Sequence, residues 1–155
     1  MLLQSTNRLA EAEPLYRRAL EINEKNLGSE HPMVAVVLNN LAMLLLAKNR
    51  FAEAEPLVRR ALAIDEKNFG PDDRTVPLRL NNLALLLQST RRLAEAELLY
   101  RRALAIDEKN FGPNHPSVGI ALKNLSLLLK TMNNFAEAES LIRRASTLGQ
   151  RHNQK

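Results

Sequence analysis

The stretch that decides the fold is Ala52-Glu-Ala-Glu-Pro-Leu-Val-Arg-Arg-Ala-Leu62, because it recurs at one fixed spacing: AEAEPLYRRAL from Ala10, AEAELLYRRAL from Ala94 and AEAESLIRRAS from Ala136. Each copy starts 42 residues after the last, and residues 52–93 and 94–135 share 25 identities in 42. A period of that length means one supersecondary unit copied along the chain, each copy burying its apolar face against the next. Other landmarks keep the register: EKNLG from Glu24 is answered by EKNFG from Glu66 and Glu108, and LNNLA from Leu38 and Leu80 by LKNLS from Leu122. Of 155 residues, about 3.7 units result. They form a single expected domain over 1–149 (a partial unit 1–30, then 31–72, 73–114 and 115–149), followed by a polar tail, 150–155, expected to be disordered.

Two helices fit in each unit. From Val34 to about Lys48 and from about Phe51 to Asn68, residues rich in Leu, Ala, Glu, Lys and Arg carry apolar positions three and four apart. Gly28, Gly70 and Gly112 are placed to end the second helix, where a positive φ is needed. Pro32 and Pro116 are placed to open the next first helix, since proline presets φ for that position. Pro14 and Pro56 fall inside a second helix and predict a slight bend. The opening Leu2-Leu-Gln-Ser-Thr6 repeats Leu86 to Thr90 and reads as the tail of a first helix whose beginning is missing. That truncation predicts self-association through the repeat ends, or a longer array.

Composition narrows function more than it defines it. There is no cysteine, which removes disulfides, thiolate metal sites and thiol nucleophiles, and three histidines leave little for any other metal centre. His31 and His115 sit two whole repeats apart and read as turn braces. No glycine-rich phosphate loop and no serine, histidine and acid constellation stands out from the repeat, so an enzyme is not expected, nor a cofactor. No apolar run approaches the roughly 18 residues of a membrane span and no signal sequence is evident, which points to the cytoplasm. The net charge of +5 favours acidic partners in general.

These residues resemble the tetratricopeptide repeat family. Its large and small positions are matched by Leu38, Leu41-Ala42 and Leu45 in the first helix and by Phe51, Ala54, Val58 and Ala61 in the second. The 42-residue form with LNNLA, EAEPL, RRAL and HP is most similar to the repeats of kinesin light chains and their bacterial relatives. The resemblance implies an all-α, right-handed superhelical solenoid of antiparallel helix pairs that binds proteins.

At 100° per residue, Leu38, Leu41, Ala42 and Leu45 share the arc that packs inward. Roughly opposite lie Val36, Asn39, Asn40, Met43 and Leu46. The same face repeats as Leu78, Asn81, Asn82, Leu85 and Gln88, then as Ile120, Lys123, Asn124, Leu127 and Lys130. In a stacked solenoid these positions line the concave side, where amides that donate and accept suit a bound peptide backbone. In the resembled family such asparagines form a ladder, and Asn40, Asn82 and Asn124 match it. The family's carboxylate clamp needs cations on successive first helices, whereas here only Lys123 and Lys130 supply them.

The double arginines Arg17-Arg18, Arg59-Arg60, Arg101-Arg102 and Arg143-Arg144 make a basic stripe on the second helices. Glu13, Glu55, Glu97 and Glu139 stand four residues before an arginine of each pair, the favourable order for an ion pair. With carboxylates interleaved and no aromatic beside them for stacking, the stripe argues against nucleic acid as the partner. A peptide or helix of another protein is the expected ligand.

Overall fold

The computed structural model describes the backbone of residues 2–152 and the side chains of residues 11–148. Its helices are α1 (Leu2–Leu27), α2 (Pro32–Ala47), α3 (Phe51–Phe69), α4 (Val76–Ser89), α5 (Leu93–Phe111), α6 (Pro116–Thr131) and α7 (Phe135–His152), with no strand among the described residues. By its contacts the chain falls into two units, Met1–Pro71 and Asp72–Lys155. In the first, α2 packs on α1 and α3. In the second, α4 pairs with α5 and α6 with α7, and α6 also packs on α5 and touches α4.

The caps explain why the period reads so cleanly. Pro32 and Pro116 open α2 and α6 as expected. Just before them, His31 and His115 turn Nδ1 to the amides of Met33 (3.1 Å) and Ser117 (3.2 Å). Asp73, at the equivalent place, accepts from the Thr75 amide at 2.8 Å, so a shorter acceptor performs the same bracing. With Arg74 where the others have proline, α4 begins only at Val76. Gly70 and Gly112 close α3 and α5 at φ 96 and 81, with ψ near 160, a region essentially reserved for glycine. The asparagine of EKN ties two of the turns: Asn68 Nδ2 donates to the Glu30 carbonyl and Asn110 Nδ2 to that of Asp72.

First helices end without glycine. Asn49, Arg91 and Asn133 take φ of 58, 63 and 62. The following amide reaches back to the Leu45, Leu87 or Leu129 carbonyl at 2.9 Å, which folds each second helix against the first.

Leu38, Leu41, Ala42 and Leu45 are fully buried, as their arc predicts. Ala54, Ala61, Ala96, Ala103 and Ala138 are fully buried on the second helices, where a side chain no larger than a methyl permits close packing. Two expectations need correcting. The opening Leu2 to Thr6, read as the tail of a first helix, is continuous with the helix that follows: Leu2–Leu27 is one helix. Asn7 holds the place of left-handed Asn49, but within the structure no helix precedes α1 for it to fold back on, so local helical bonding carries through. At the other end, α7 continues to His152, beyond the expected start of the tail at 150, while 153–155 lie outside the described residues.

Candidate interaction face

The face opposite the buried arc of the first helices carries exposed apolar side chains at matching positions. Val36, Leu78 and Ile120 are 39, 56 and 60 % exposed, and one register later Leu85 and Leu127 are 43 and 60 % exposed, with Met43 half-buried. These are large apolar residues left in water at a 42-residue interval while their neighbours at the next position inward are buried. Single exposed leucines need no account, but a recurring set does.

The amides divide into two classes. Asn40 is exposed, and Asn82 and Asn124 are half-buried, so each lies toward the open face of its own helix. Asn82 already has a partner within the protein, yet an amide has capacity for several hydrogen bonds. The other column does not behave as one set. Asn39 is buried and engaged within the protein, Asn81 is half-buried, and Lys123 is exposed. The helical wheel explains the difference: Asn40 lies about 200° from Leu38, whereas Asn39 lies only about 100° away, on a flank that neighbouring helices can cover. Leu46 shares that flank and is half-buried, as is Gln88, whereas Lys130 at the equivalent place is exposed.

In the second unit this face holds a cleft between α4, α5 and α6. Pro77, Leu78, Phe111 and Ile120 form its apolar walls, Asn81 and Asp107 its polar floor, and Arg74 and Ser117 complete the lining. Burial pushes the Asp107 carboxyl above the usual range, partly offset by the nearby His115. His115 itself stacks on Phe111, ring centroids 4.6 Å apart. In the first unit, Tyr16 and Ala12 of α1 line another cleft with Asn40, Met43 and Ala47 of α2. Tyr100, at the place equivalent to Tyr16, is instead buried, which pushes its phenol up to about 12.

Tyr16, Arg74, Asp107 and Phe111 were not legible as site residues in the sequence. All four belong to second helices or turns, and only the chain fold brings them to the first-helix face. Their signal was indirect: Arg74 breaks the His-Pro pattern, and Tyr16 keeps an aromatic ring that Val58 and Ile142 lack.

The arginine stripe is largely neutralised. Arg17, Arg59 and Arg101 pair with Glu13, Glu55 and Glu97 of their own helices at 2.9, 2.7 and 2.7 Å. Arg60 reaches Glu24, Arg101 also reaches Glu137, and Arg144 meets Glu108.

A helix pair closed by a left-handed residue, opened by proline and repeated every 42 residues has a counterpart among known proteins. The tetratricopeptide repeat model matches residues 1–67 and 78–151. The chain belongs to the tetratricopeptide repeat family. Among solved structures, BtubC (BKLC) from P. vanneervenii superposes with a TM-score of 0.87 at 29% identity, covering 96% of this chain and 59% of that protein. This chain therefore spans under two thirds of that protein's length. The Podosopora anserina kinesin light chain with nearly identical TPR-like repeats superposes at 0.81 with 24% identity, and a point variant of the same protein at 0.83 with 22%, each covering 98% of this chain and 72% of the other. No curated protein matches. The chain thus has the all-α tetratricopeptide fold, like that of kinesin-light-chain repeats. Proteins built of tetratricopeptide repeats are in general non-catalytic scaffolds for protein interaction. No described helix is long and apolar enough to cross a membrane.

Proposed function

We propose that this tetratricopeptide chain is a binding module that holds an extended segment or helix of a partner protein on the outward faces of its first helices. The observation that carries the reading is the recurrence of exposed apolar residues, Val36, Leu78 and Ile120 with Leu85 and Leu127, beside the amides Asn40, Asn82 and Asn124. Apolar pockets for side chains next to amides for a backbone are what an extended peptide requires.

The test uses peptides selected on the whole chain from a random displayed library. Asn82→Ala should weaken the best of them by about 0.5–1.5 kcal/mol, one hydrogen bond's share. Leu85→Glu should weaken it further, by placing a charge among apolar contacts. Reversal of Arg59 and Arg60 to glutamate should leave it nearly unchanged. If the reversal abolishes binding while the Asn82 and Leu85 variants bind normally, the second helices are the working surface.

A second reading, self-association, has its own observation. Ile22 of α1 is 47 % exposed, although its equivalents Ile64 and Ile106 are 1 and 3 % exposed, and Leu15 one heptad earlier is 68 % exposed. An apolar stripe of that kind can take a helix of a second copy. Sedimentation should then show association that Ile22→Glu removes and that salt barely alters.

A further inference from the structure

We propose that the cleft between α4, α5 and α6 receives the side chain of an arginine or lysine from a partner segment, its cationic head on Asp107 and Asn81 and its aliphatic stem along Pro77, Leu78 and Ile120. The inference rests on the interaction-module reading for the source of that side chain, but the cleft is a site in its own right.

Its basis is a buried carboxylate beside a buried amide oxygen that lacks a partner. Asp107 is only 5 % exposed, and burial acts on its carboxyl against the field of His115. Asn81 also lines the cleft, and its Oδ1 is buried and has no partner. Buried polar atoms are nearly always satisfied, because leaving one unmet forfeits its bonds to water without replacement. Asn39 and Asp65 hold the same two positions in the first unit and are likewise buried, so the amide and carboxylate recur with the repeat.

The chemistry of the cleft selects its ligand. Two oxygens, one on a carboxylate, call for a cationic donor. A metal ion is disfavoured, since no group of three histidine, cysteine or acidic side chains gathers among the described residues. The four apolar walls suit a long methylene stem that ends in a charge, which is the form of lysine and arginine. Phe111 lines the same cleft, and an aromatic ring near a cation attracts it. The cations already near are placed otherwise: Arg74 lines the cleft and is exposed, and His115 acts on Asp107 through its field alone, its Nδ1 being turned to Ser117.

The experiment titrates the isotopically labelled whole chain with N-acetyl-arginine amide and follows amide resonances by nuclear magnetic resonance. Saturable shifts are expected at the Asn81 side chain and at backbone amides around Leu78, Asp107 and Ile120. N-acetyl-citrulline amide, matched in shape but uncharged, should bind at least tenfold more weakly. Asp107→Asn should weaken the arginine probe by a similar factor. That variant keeps its fold, since it removes a buried carboxylate whose charged form burial disfavours. Equal shifts from citrulline, no saturable shift at the cleft, or an unaltered response in Asp107→Asn would each overturn the proposal. So would tighter binding of N-acetyl-glutamate amide at the same residues, which would make Arg74 the recognising group. If the arginine probe binds as expected while no displayed peptide depends on Leu85 or Asn82, the cleft stands and the proposed binding on the first-helix faces fails; the opposite pattern removes only the cleft.

Discussion

Glu13 shows how one side chain can tie a repeat to the next. Its carboxylate accepts from Lys48 Nζ at 2.5 Å, from Arg50 Nη1 at 2.7 Å and from Arg17 Nη2 at 2.9 Å, so a residue of α1 holds the turn between α2 and α3. These donors, Lys48 foremost, pull its pKa from 4.5 down to about 2. A carboxyl depressed in the folded state lends stability that is fully present above its unfolded value near 4.5. That stability drains away as pH falls toward about 2. Glu13→Gln should therefore cost about 1 kcal/mol at neutral pH, the upper range for a partly exposed pair, and should flatten the acid limb of the melting temperature between about pH 4.5 and 2. A variant whose acid limb matches the parent's would show that the cluster contributes nothing. The sequence announced only the Arg17 partner, four residues on; Lys48 and Arg50 lie 35 and 37 residues away and are brought in by the fold.

At the scale of the element, what was legible was what caps encode locally. Pro32 and Pro116 mark helix starts, and Gly70 and Gly112 mark ends, because each residue type is selected by a backbone requirement at its own position. The ends of the first helices were less legible, since the left-handed residue there is asparagine or arginine and not glycine. Asn39 shows the other limit: periodicity alone put it on the open face, but packing decides the exposure of a residue on the flank of the wheel. Arg91 offers a test of the cap. A left-handed conformation costs an ordinary L-residue about 1–2 kcal/mol, and asparagine tolerates it better. Arg91→Asn should accordingly raise stability by about 0.5–1 kcal/mol, and Asn133→Arg should lower it by a like amount, both read from urea midpoints at unchanged slope. Opposite signs would mean that Arg91 makes contacts outweighing its backbone strain.

Across the whole molecule, repeat proteins distribute stability according to how many neighbours each element has. Among the described residues α1 packs closely against α2, whereas α5 lies against both α4 and α6. The same small and apolar positions record the difference: Ala12 and Ala19 are half-buried where Ala54, Ala61, Ala96 and Ala103 are fully buried, and Ile22 is open where Ile64 and Ile106 are covered. Local opening of α1 exposes less apolar surface than opening α5, and so has the smaller free-energy cost. Hydrogen exchange of the whole chain should then show the amides of Ala12, Ala19 and Ile22 exchanging at least tenfold faster than those of Ala96, Ala103 and Ile106, a factor equivalent to about 1.4 kcal/mol. Raising the protein concentration distinguishes two sources of that gap. If a second copy covers the Leu15 and Ile22 stripe, α1 becomes protected as concentration rises while α5 does not change; if α1 exchanges at the same rate throughout, the stripe stays open and self-association through it is excluded.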